Sequence, residues 1–278
     1  MLRLIAKRLP SALVTILLLP VVARRYFRLE TGSAYGVTFP RKLRLLAKMI
    51  RNNLSVPSAS NFIGHLLMAA EILNVPPDRP GVIVECGCYK GGSTVNLSLV
   101  AAICGRTLHV FDSFEGLPEP DAGDAGHVVI AERSVRTYEA GAYAGTLNEV
   151  TSNVRRYGDL AVSTIHKGLF SDTLPKFDEP VVFAYLDVDL TSSEKTCLRH
   201  LWPLLVPGAF VFTDEAHHLE IAELFFDRQW WNDELHTPPP GLVGAGSGLG
   251  LFLHEGGFRS SIGYTVKLAR SELDQIAG

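Results

Sequence analysis

From residue 82 onward, short apolar runs alternate with longer stretches whose apolar residues recur at helical spacing. The apolar runs predict strands at residues 82–85, 108–111, 161–166, 181–186 and 209–213. The periodic stretches predict helices at residues 93–103, 143–157, 192–205 and 218–230. Short buried strands that alternate with helices indicate an α/β fold with a doubly wound, mostly parallel sheet. Two late apolar runs, 248–253 and 261–267, predict a hairpin at the edge of that sheet.

The pattern before residue 82 is helical. One helix is predicted over residues 41–51 and a second over residues 60–73. The apolar face of the first comprises Leu43, Leu46, Ala47 and Ile50, widened by Leu45 and Met49. The turn-rich segment 76–81 then marks a boundary. We therefore predict three regions: an apolar N-terminal segment at 1–30, a helical region at 31–80 and the main α/β domain at 81–278.

The first thirty residues combine an apolar run at 11–23 with basic residues on both sides, namely Arg3, Lys7, Arg8, Arg24, Arg25 and Arg28. About 13 apolar-rich residues are too few to span a bilayer as a helix, and Pro20 argues against one unbroken helix. Three interpretations remain: an interfacial membrane anchor, a docking helix for a partner subunit, and a helix packed on the domain. The basic side of the helix at 41–51 either faces solvent or contacts an anionic membrane surface.

Composition narrows the classes of function. The chain has 278 residues, 47% of them hydrophobic, which suffices for one core of ordinary size. Its formal net charge of −3 gives no basic nucleic-acid footprint, so no DNA or RNA partner is expected. The cysteines at 86, 88, 104 and 197 show no C-x-x-C spacing and are expected to be reduced, buried side chains.

A glycine-rich turn follows the first predicted strand. Residues 85–93 have the sequence Glu-Cys-Gly-Cys-Tyr-Lys-Gly-Gly-Ser, in which Gly87 and Gly91 allow a tight turn and the close approach of a ligand. Tyr89 occupies the place of the middle glycine of G-x-G-x-x-G, which favours S-adenosylmethionine (SAM) over NAD as the ligand.

Further predicted contacts with SAM surround this turn. Asp112 ends the second strand, where a carboxylate is placed to bind both ribose hydroxyls. Glu85 can attract the ammonium group of SAM, and Ser93 and Ser113 are also predicted to bind SAM. A purely structural turn with a helix-capping Asp112 is the alternative.

Clustered acids follow two later strands. Asp187 and Asp189 come after the fourth predicted strand, and Asp214 and Glu215 after the fifth. Ligands bind beyond the carboxyl ends of parallel strands, so these acids are expected at the same sheet edge as the glycine-rich turn. Oxygen ligands that would otherwise repel one another suit Mg²⁺, with Ca²⁺ or Mn²⁺ as alternatives. Helix caps and solvated loop acids are the competing interpretation.

Two histidines follow the second acidic pair. His217 is a candidate base because histidine titrates near neutral pH. A surface or capping role is the alternative for both His217 and His218.

Five segments together resemble the macrocin O-methyltransferase family, the antibiotic-sugar methyltransferases. In chain order they are Val84-Glu85-Cys86-Gly87, Lys90-Gly91-Gly92, residues 111–118 (Phe-Asp-Ser-Phe-Glu-Gly-Leu-Pro), residues 168–175 (Gly-Leu-Phe-Ser-Asp-Thr-Leu-Pro) and residues 185–190 (Tyr-Leu-Asp-Val-Asp-Leu). The resemblance covers roughly residues 80–230 and is most specific at 112–118. It implies a Rossmann-like class I methyltransferase fold, SAM and a divalent metal, usually Mg²⁺.

The resemblance also implies roles by position. Asp187, Asp214 and Glu215 would be metal ligands, Asp189 the general base, and Gly168 a neighbour of the adenine. The family has two aspartates where this chain has Asp214-Glu215, and the longer glutamate side chain shifts the ligand geometry. N-terminal helices in the family cover the site and join subunits, so residues 31–80 are expected to form a lid or a homo-oligomer contact.

The predicted activity is methyl transfer from SAM to a hydroxyl of a sugar or a glycosylated small molecule, with Asp189 or His217 taking the proton. Because SAM is a cytosolic cofactor, we expect a cytoplasmic protein, peripheral to the membrane if its N-terminus binds lipid. Two rivals remain. A glycosyltransferase would use Asp187-Val188-Asp189 as a D-x-D motif but leaves the glycine-rich turn unexplained. A catalytically inactive scaffold would bind SAM without turnover.

Overall fold

A computed structural model describes residues 19, 23–130, 132–245, 262–269 and 272 of the chain. Its strands, in chain order, are β1 (Val82–Cys86), β2 (Leu108–Asp112), β3 (His127–Val129), β4 (Ser134–Arg136), β5 (Ser163–Lys167), β6 (Val181–Leu186), β7 (Leu205–Thr213) and β8 (Gly263–Val266). Strands β3 and β4 form a separate antiparallel hairpin, and the other six form one sheet.

The six-stranded sheet has the order β5-β2-β1-β6-β7-β8. Neighbouring strands from β5 to β7 are parallel, and β8 is antiparallel to β7. The chain leaves β1 towards β2 on one side and returns on the other side at β6. In an open α/β sheet, this reversal creates a ligand-binding crevice at the carboxyl ends of the two strands. The predicted doubly wound, mostly parallel sheet is confirmed.

Helices cover both faces of the sheet. They are α1 (Arg24–Phe27), α2 (Phe39–Ser55), α3 (Phe62–Asn74), α4 (Gly92–Cys104), α5 (Leu147–Tyr157), α6 (Phe170–Thr173), α7 (Thr191–Leu201), α8 (Leu219–Leu224) and α9 (Arg228–Leu235). One apolar core packs α2 to α5 against one face, and a second packs α7 to α9 against the other. Every residue of β1 and β6 is buried between these layers, which explains why both strands are apolar in sequence except for Glu85 of β1.

Three predicted helices are shorter than predicted or divided in the structure. The helix predicted at 143–157 begins at Leu147, because Thr146 caps it by accepting from the N–H of Glu149. The helix predicted at 218–230 is two helices, α8 and α9, because Asp227 accepts hydrogen bonds from the N–H groups of Gln229 and Trp230, both at 3.0 Å, and so caps a new helix. The helix predicted at 192–205 ends at Leu201. Pro203 follows within a 3₁₀ turn, where its ring and missing N–H do not suit a continued α-helix.

The buried face of α2 also differs from the prediction. The buried residues are Lys42, Leu45, Met49 and Asn52, whereas Leu43 is 45% exposed. The segment around α1 decides this face. Tyr26 is fully buried and its hydroxyl donates to the carbonyl of Lys42 at 2.9 Å, while the Lys42 ammonium donates to the carbonyl of Arg28. Lys42, which the sequence pattern places on the surface, is therefore held inside by the carbonyl of Arg28.

Two predicted segments lie wholly or mostly outside the described residues. Only residues 19 and 23 of the apolar run at 11–23 are described, and the strand predicted at 248–253 is not described, so the edge hairpin stays a prediction. The late run at 261–267 contains β8. Within the described ranges, no helix has both the length and the apolar character needed to cross a membrane.

Candidate active site

The glycine-rich turn between β1 and α4 touches the end of β6. Gly87 has a φ of +80°, a left-handed conformation that favours glycine. A Cβ at this position would lie 1.9 Å from the carbonyl oxygen of Asp187, so only glycine fits. The amide of Asp187 in turn donates to the carbonyl of Cys86 at 2.9 Å. Backbone contacts thus join the glycine-rich turn to Asp187, the first acidic residue after β6.

Asp112, at the end of β2, accepts hydrogen bonds from two loops, the glycine-rich turn after β1 and the segment that follows β2. Its Oδ2 accepts from the N–H of Cys88 at 2.8 Å, and its Oδ1 accepts from the N–H of Phe114 at 2.7 Å. Each carboxylate oxygen has more than one acceptor site, so both can accept a further hydrogen bond from a ligand. Asp112 therefore orders two loops and presents a negative group between them.

A cavity of about 320 Å³ opens at this edge of the sheet. The predicted site residues in its wall are Gly87, Asp112, Ser113, Gly168, Asp187 and Asp189. The wall also includes Tyr89 and Tyr143, whose ring centroids lie 5.9 Å apart in an edge-to-face arrangement. Ala59 contributes to the wall from the loop before α3, so the predicted helical region at 31–80 reaches the cavity.

Three predicted cofactor residues lie beneath this wall rather than on it. Glu85 is fully buried, and burial raises the pKa of its carboxyl group to about 7. The hydroxyls of Ser93 and Thr94 lie nearby and offset part of the rise, although no group in the described part of the chain is aligned to hydrogen-bond Glu85. Gly91, with a φ of +85°, packs against Val150. Direct contact of Glu85, Gly91 and Ser93 with a cofactor stays a prediction.

Asp187, Asp214 and Glu215 converge where β6 and β7 end. Each contributes one carboxylate oxygen to a group whose atoms lie within 4.8 Å of one another. Burial, followed by the mutual repulsion of these charges, raises the pKa of Asp187 and of Glu215. Three oxygen donors at this spacing fit a divalent cation such as Mg²⁺, which would relieve the repulsion. The structure brings the three predicted ligands together, and metal binding itself stays a prediction.

Tyr185, on β6, lies between two of these acids. Its hydroxyl oxygen is 3.1 Å from Asp187 Oδ2 and 3.1 Å from Asp214 Oδ1. A phenol has one hydrogen to donate, so the second contact requires a proton or a cation on the other carboxylate. Tyr185 is not recognisable as a site residue from the sequence, because a tyrosine within a buried strand resembles any other core residue.

The two candidate bases occupy different environments. Asp189 lines the cavity and has a φ of +59°, which is unusual for a residue other than glycine. Burial raises the pKa of Asp189 to about 6, and the nearby Tyr138 hydroxyl offsets part of the rise. His217 is half-buried and stands outside the described cavity wall, and burial lowers its pKa to about 4. Asp189 is therefore the better placed of the two, because it faces the cavity.

The β3–β4 hairpin, which the sequence analysis did not predict, packs beside the acids. Asp124 accepts from the N–H of Thr191 at 2.7 Å and so ties the hairpin to the start of α7. Glu220 of α8 accepts from the N–H of Val128 at 3.0 Å. The hairpin leads directly to Tyr138, whose hydroxyl lies near Asp189. Three-residue strands carry too little periodicity to be predicted, which is why these contacts were missed.

A buried chain of polar side chains begins at α2. The Nδ2 of Asn52 donates to the carbonyl of Tyr157 at 3.3 Å and to Asn96 Oδ1 at 2.9 Å. Because a backbone carbonyl only accepts, this pair of bonds orients both amides. The Nδ2 of Asn96 then donates to His65 Nδ1 at 2.8 Å. Burial lowers the pKa of His65 to about 3, so the ring is neutral and carries its hydrogen on Nε2.

The same chain continues towards the acids. The Nε2 of His65 lies 2.9 Å from Ser60 Oγ and donates to it. Burial raises the pKa of Tyr185, and the adjacent Ser60 hydroxyl offsets part of that rise. Ser60 Oγ accepts from His65 and lies 3.2 Å from Ser58 Oγ, so its own hydrogen can go to Ser58 or to Tyr185. The chain of polar side chains thereby extends from α2 to the surroundings of Tyr185.

Two proteins of known activity are similar in sequence to part of this chain. The first, "8-demethyl-8-(2,3-dimethoxy-alpha-L-rhamnosyl)-tetracenomycin-C 4'-O-methyltransferase" of Streptomyces olivaceus, is 38% identical over 142 residues, which cover 49% of this chain and 53% of that protein. The second, "Mycinamicin III 3''-O-methyltransferase" of Micromonospora griseorubida, is 31% identical over 165 residues, which cover 56% of this chain and 64% of that protein. The chain thus spans less than two thirds of either relative.

A solved structure shares the fold, and a family model matches the part of the sequence that contains the site residues. The O-methyltransferase NovP superposes with a TM-score of 0.54 at 20% identity, covering 93% of this chain and 100% of that one, which shows the class I methyltransferase fold alone. The family model of macrocin-O-methyltransferase (TylF) matches residues 65–238, more than half of the chain and every site residue described above from Glu85 to His217. The chain belongs to the macrocin O-methyltransferase family.

Proposed function

We propose that this protein transfers a methyl group from SAM to a hydroxyl of a sugar or a glycosylated small molecule, assisted by a divalent cation. The observation that carries the proposal is one cavity whose wall contains the predicted SAM residues Gly87, Asp112 and Gly168 together with Asp187 and Asp189. The rhamnosyl-tetracenomycin 4'-O-methyltransferase among the relatives supports a sugar hydroxyl as the acceptor.

The chain's own residues divide into binding and proton-transfer roles. When bound, SAM supplies an electrophilic methyl group, and a divalent cation lowers the pKa of an acceptor hydroxyl. Asp112 would accept hydrogen bonds from the ribose, while the missing side chain of Gly87 leaves room for the cofactor. Asp187, Asp214 and Glu215 would hold the cation through the oxygens that now lie within 4.8 Å of one another.

Asp189 would take the proton from the acceptor hydroxyl. It lines the cavity next to Asp187, and its raised pKa brings it closer to a neutral working pH, where general bases are most effective. The rings of Tyr89 and Tyr143 would face the C–H side of a sugar and keep water from the reacting oxygen. His217, behind the wall, is assigned no direct proton transfer in this proposal.

The two rival functions explain less of the site. A D-x-D glycosyltransferase would need Asp187 and Asp189 but not a glycine turn in backbone contact with Asp187, and the chain belongs to a methyltransferase family. An inactive SAM-binding scaffold would have no need for three acids held together at a cost in repulsion. Turnover separates the scaffold from the enzyme.

The first test is calorimetric titration with SAM, with and without Mg²⁺. We expect micromolar binding, weakened roughly 10–100-fold in Asp112→Asn, because one charged hydrogen-bond acceptor is lost. Asp178→Asn, which changes an exposed acid elsewhere, is the matched control. Methyl transfer from labelled SAM to rhamnosylated acceptors, with and without EDTA, then tests turnover and metal use. Absence of SAM binding would reject the proposal, and binding without turnover on any acceptor would favour the scaffold.

A further inference from the structure

We propose that the outer surface of α2, together with the adjoining residues 24–29, docks on an anionic lipid surface. The proposal concerns a different side of the molecule from the cavity and does not depend on the proposed reaction. It rests on the exposure of apolar and basic side chains around α2 and on the distribution of charge along the chain.

Helix α2 has three distinct faces. One is buried on the domain through Leu45, Met49 and Asn52. A second is apolar but exposed, with Phe39 at 48%, Leu43 at 45% and Leu54 at 83% exposure. Successive residues of an α-helix are about 100° apart, so these three side chains fall within roughly 60° of one another. Leu29 is 82% exposed in the adjoining segment, whose Arg28 contacts Lys42 of α2.

The third face is basic. Arg41, Arg44, Lys48 and Arg51 are all exposed, and Arg24 and Arg28 are exposed on the adjoining segment. In the described ranges, Arg44, Lys48 and Arg51 have no acidic partner. Three cations without an acidic partner, along one side of an exposed apolar stripe, are the features of a helix that lies in the headgroup region of a membrane.

Charge is also unevenly distributed along the whole chain, with an excess of basic residues in the part that contains α2 and an excess of acidic residues in the remainder. Residues 1–56 contain eleven Lys and Arg residues and one acidic residue, a net charge of +10, whereas the complete chain has a net charge of −3. The remaining residues therefore carry a net charge of −13. An anionic surface would attract the side of α2 and repel the remainder, which orients the protein with α2 towards the lipid.

Lipid accounts for both the apolar and the basic face, whereas other partners account for one. A nucleic acid would use Arg44, Lys48 and Arg51 but leave Leu29 and Leu54 in water. A second copy of this chain could cover the leucines, but it would bring an equally basic flank towards the first. A bilayer takes the leucines at the acyl boundary and the cations at its phosphates.

The test uses the full chain and vesicles of phosphatidylcholine, either alone or with about one third phosphatidylglycerol. We expect co-sedimentation with the anionic vesicles, release by high salt, and no binding to the neutral ones. Charge reversal in Arg44→Glu/Lys48→Glu/Arg51→Glu is expected to weaken binding at least tenfold, since each cation near an anionic surface contributes to the attraction. Leu43→Asp/Leu54→Asp is expected to weaken it similarly while leaving the basic flank unchanged.

Matched controls change the same number of side chains elsewhere. Arg133→Glu/Lys176→Glu/Arg228→Glu alters three exposed cations, and Phe226→Asp/Val243→Asp alters two side chains exposed by 55% and 50%. Both should bind vesicles like the wild type, and all variants should retain SAM binding as a check on folding. Vesicle binding that is unchanged by the α2 substitutions would overturn the proposal. So would light scattering that shows a dimer which only the Leu43→Asp/Leu54→Asp variant dissociates.

Discussion

The hydroxyl oxygen of Tyr185 lies 3.1 Å from Oδ2 of Asp187, and the same hydroxyl is 3.1 Å from Asp214. Tyr185→Phe would remove this hydrogen bond while keeping the ring in its buried position. Groups that orient metal ligands typically contribute 10–100-fold in affinity, so we expect Mn²⁺ binding to weaken by roughly that factor. SAM affinity should not change. Calorimetric titration with Mn²⁺ and with SAM measures both quantities.

Tyr26→Phe is the control for this experiment. Tyr26 is also fully buried, but its hydroxyl donates to the carbonyl of Lys42, on the N-terminal side of the molecule. Its loss should lower the unfolding temperature without changing Mn²⁺ affinity. Equal Mn²⁺ affinity in the wild type and Tyr185→Phe would contradict a positioning role for Tyr185.

Replacement of Asp187 separates catalysis from cofactor binding. Asp187→Asn keeps the size of the side chain but removes a charge that burial and Asp214 oppose. We expect kcat to fall by about 10³-fold, because a metal ligand supports several kcal/mol of transition-state stabilisation, while SAM affinity stays within a few-fold. The unfolding temperature of the metal-free protein should not fall, since repulsion is relieved. Full activity in Asp187→Asn would remove the proposed metal role.

Gly87 and Gly105 provide a test of close backbone approach. Both have left-handed φ values, +80° and +62°, but a Cβ at Gly87 would meet the Asp187 carbonyl at 1.9 Å, whereas a Cβ at Gly105 would meet no described atom within 4 Å. Gly105→Ala should cost only the left-handed strain, about 1 kcal/mol. Gly87→Ala should cost several times more and abolish SAM binding. Similar free energies of unfolding in urea for the two variants would show that the contact between the turn and Asp187 is unimportant.

Because His65 is buried and neutral, we expect the stability of the fold to decrease in acid. Its pKa is lowered from 6.5 to about 3 in the folded protein by burial. Below pH 6.5 the unfolded chain binds a proton that the folded protein excludes, so stability falls as pH decreases from 6.5 towards 3. Between about pH 7.5 and about pH 5, this contribution amounts to about 2 kcal/mol.

The measurement compares urea unfolding at those two pH values for the wild type, His65→Gln and His236→Gln. His65→Gln should be less stable at both values, because it disturbs the hydrogen bonds to Asn96 and Ser60, but its stability should depend less on pH. His236 is exposed at the end of α9, so His236→Gln should keep the pH dependence of the wild type. An unchanged pH dependence in His65→Gln would contradict the buried, neutral assignment.

Most of the sheet and the general location of the site are predictable from local sequence. Strands β1 and β6 are buried on both faces and therefore appear as apolar runs, broken only by Glu85 of β1. Parallel strands place their carboxyl ends at one edge, so Asp112, Asp187 and Asp214, at the ends of β2, β6 and β7, are predicted to lie at the same edge. The left-handed turn at Gly87 is also predictable, because glycine adopts positive φ values more readily than any other residue.

The tertiary structure decided which side of each segment is buried and which residues reach the site from far away. Lys42 of α2 is buried and Leu43 is exposed, because Tyr26 packs on that side and the carbonyl of Arg28 accepts from the Lys42 ammonium. Tyr185 belongs to the acid cluster only because β7 places Asp214 beside it. Helical and strand periodicities are local properties, whereas these contacts join residues 16 and 29 positions apart in sequence. Only the packing of whole elements determines such contacts.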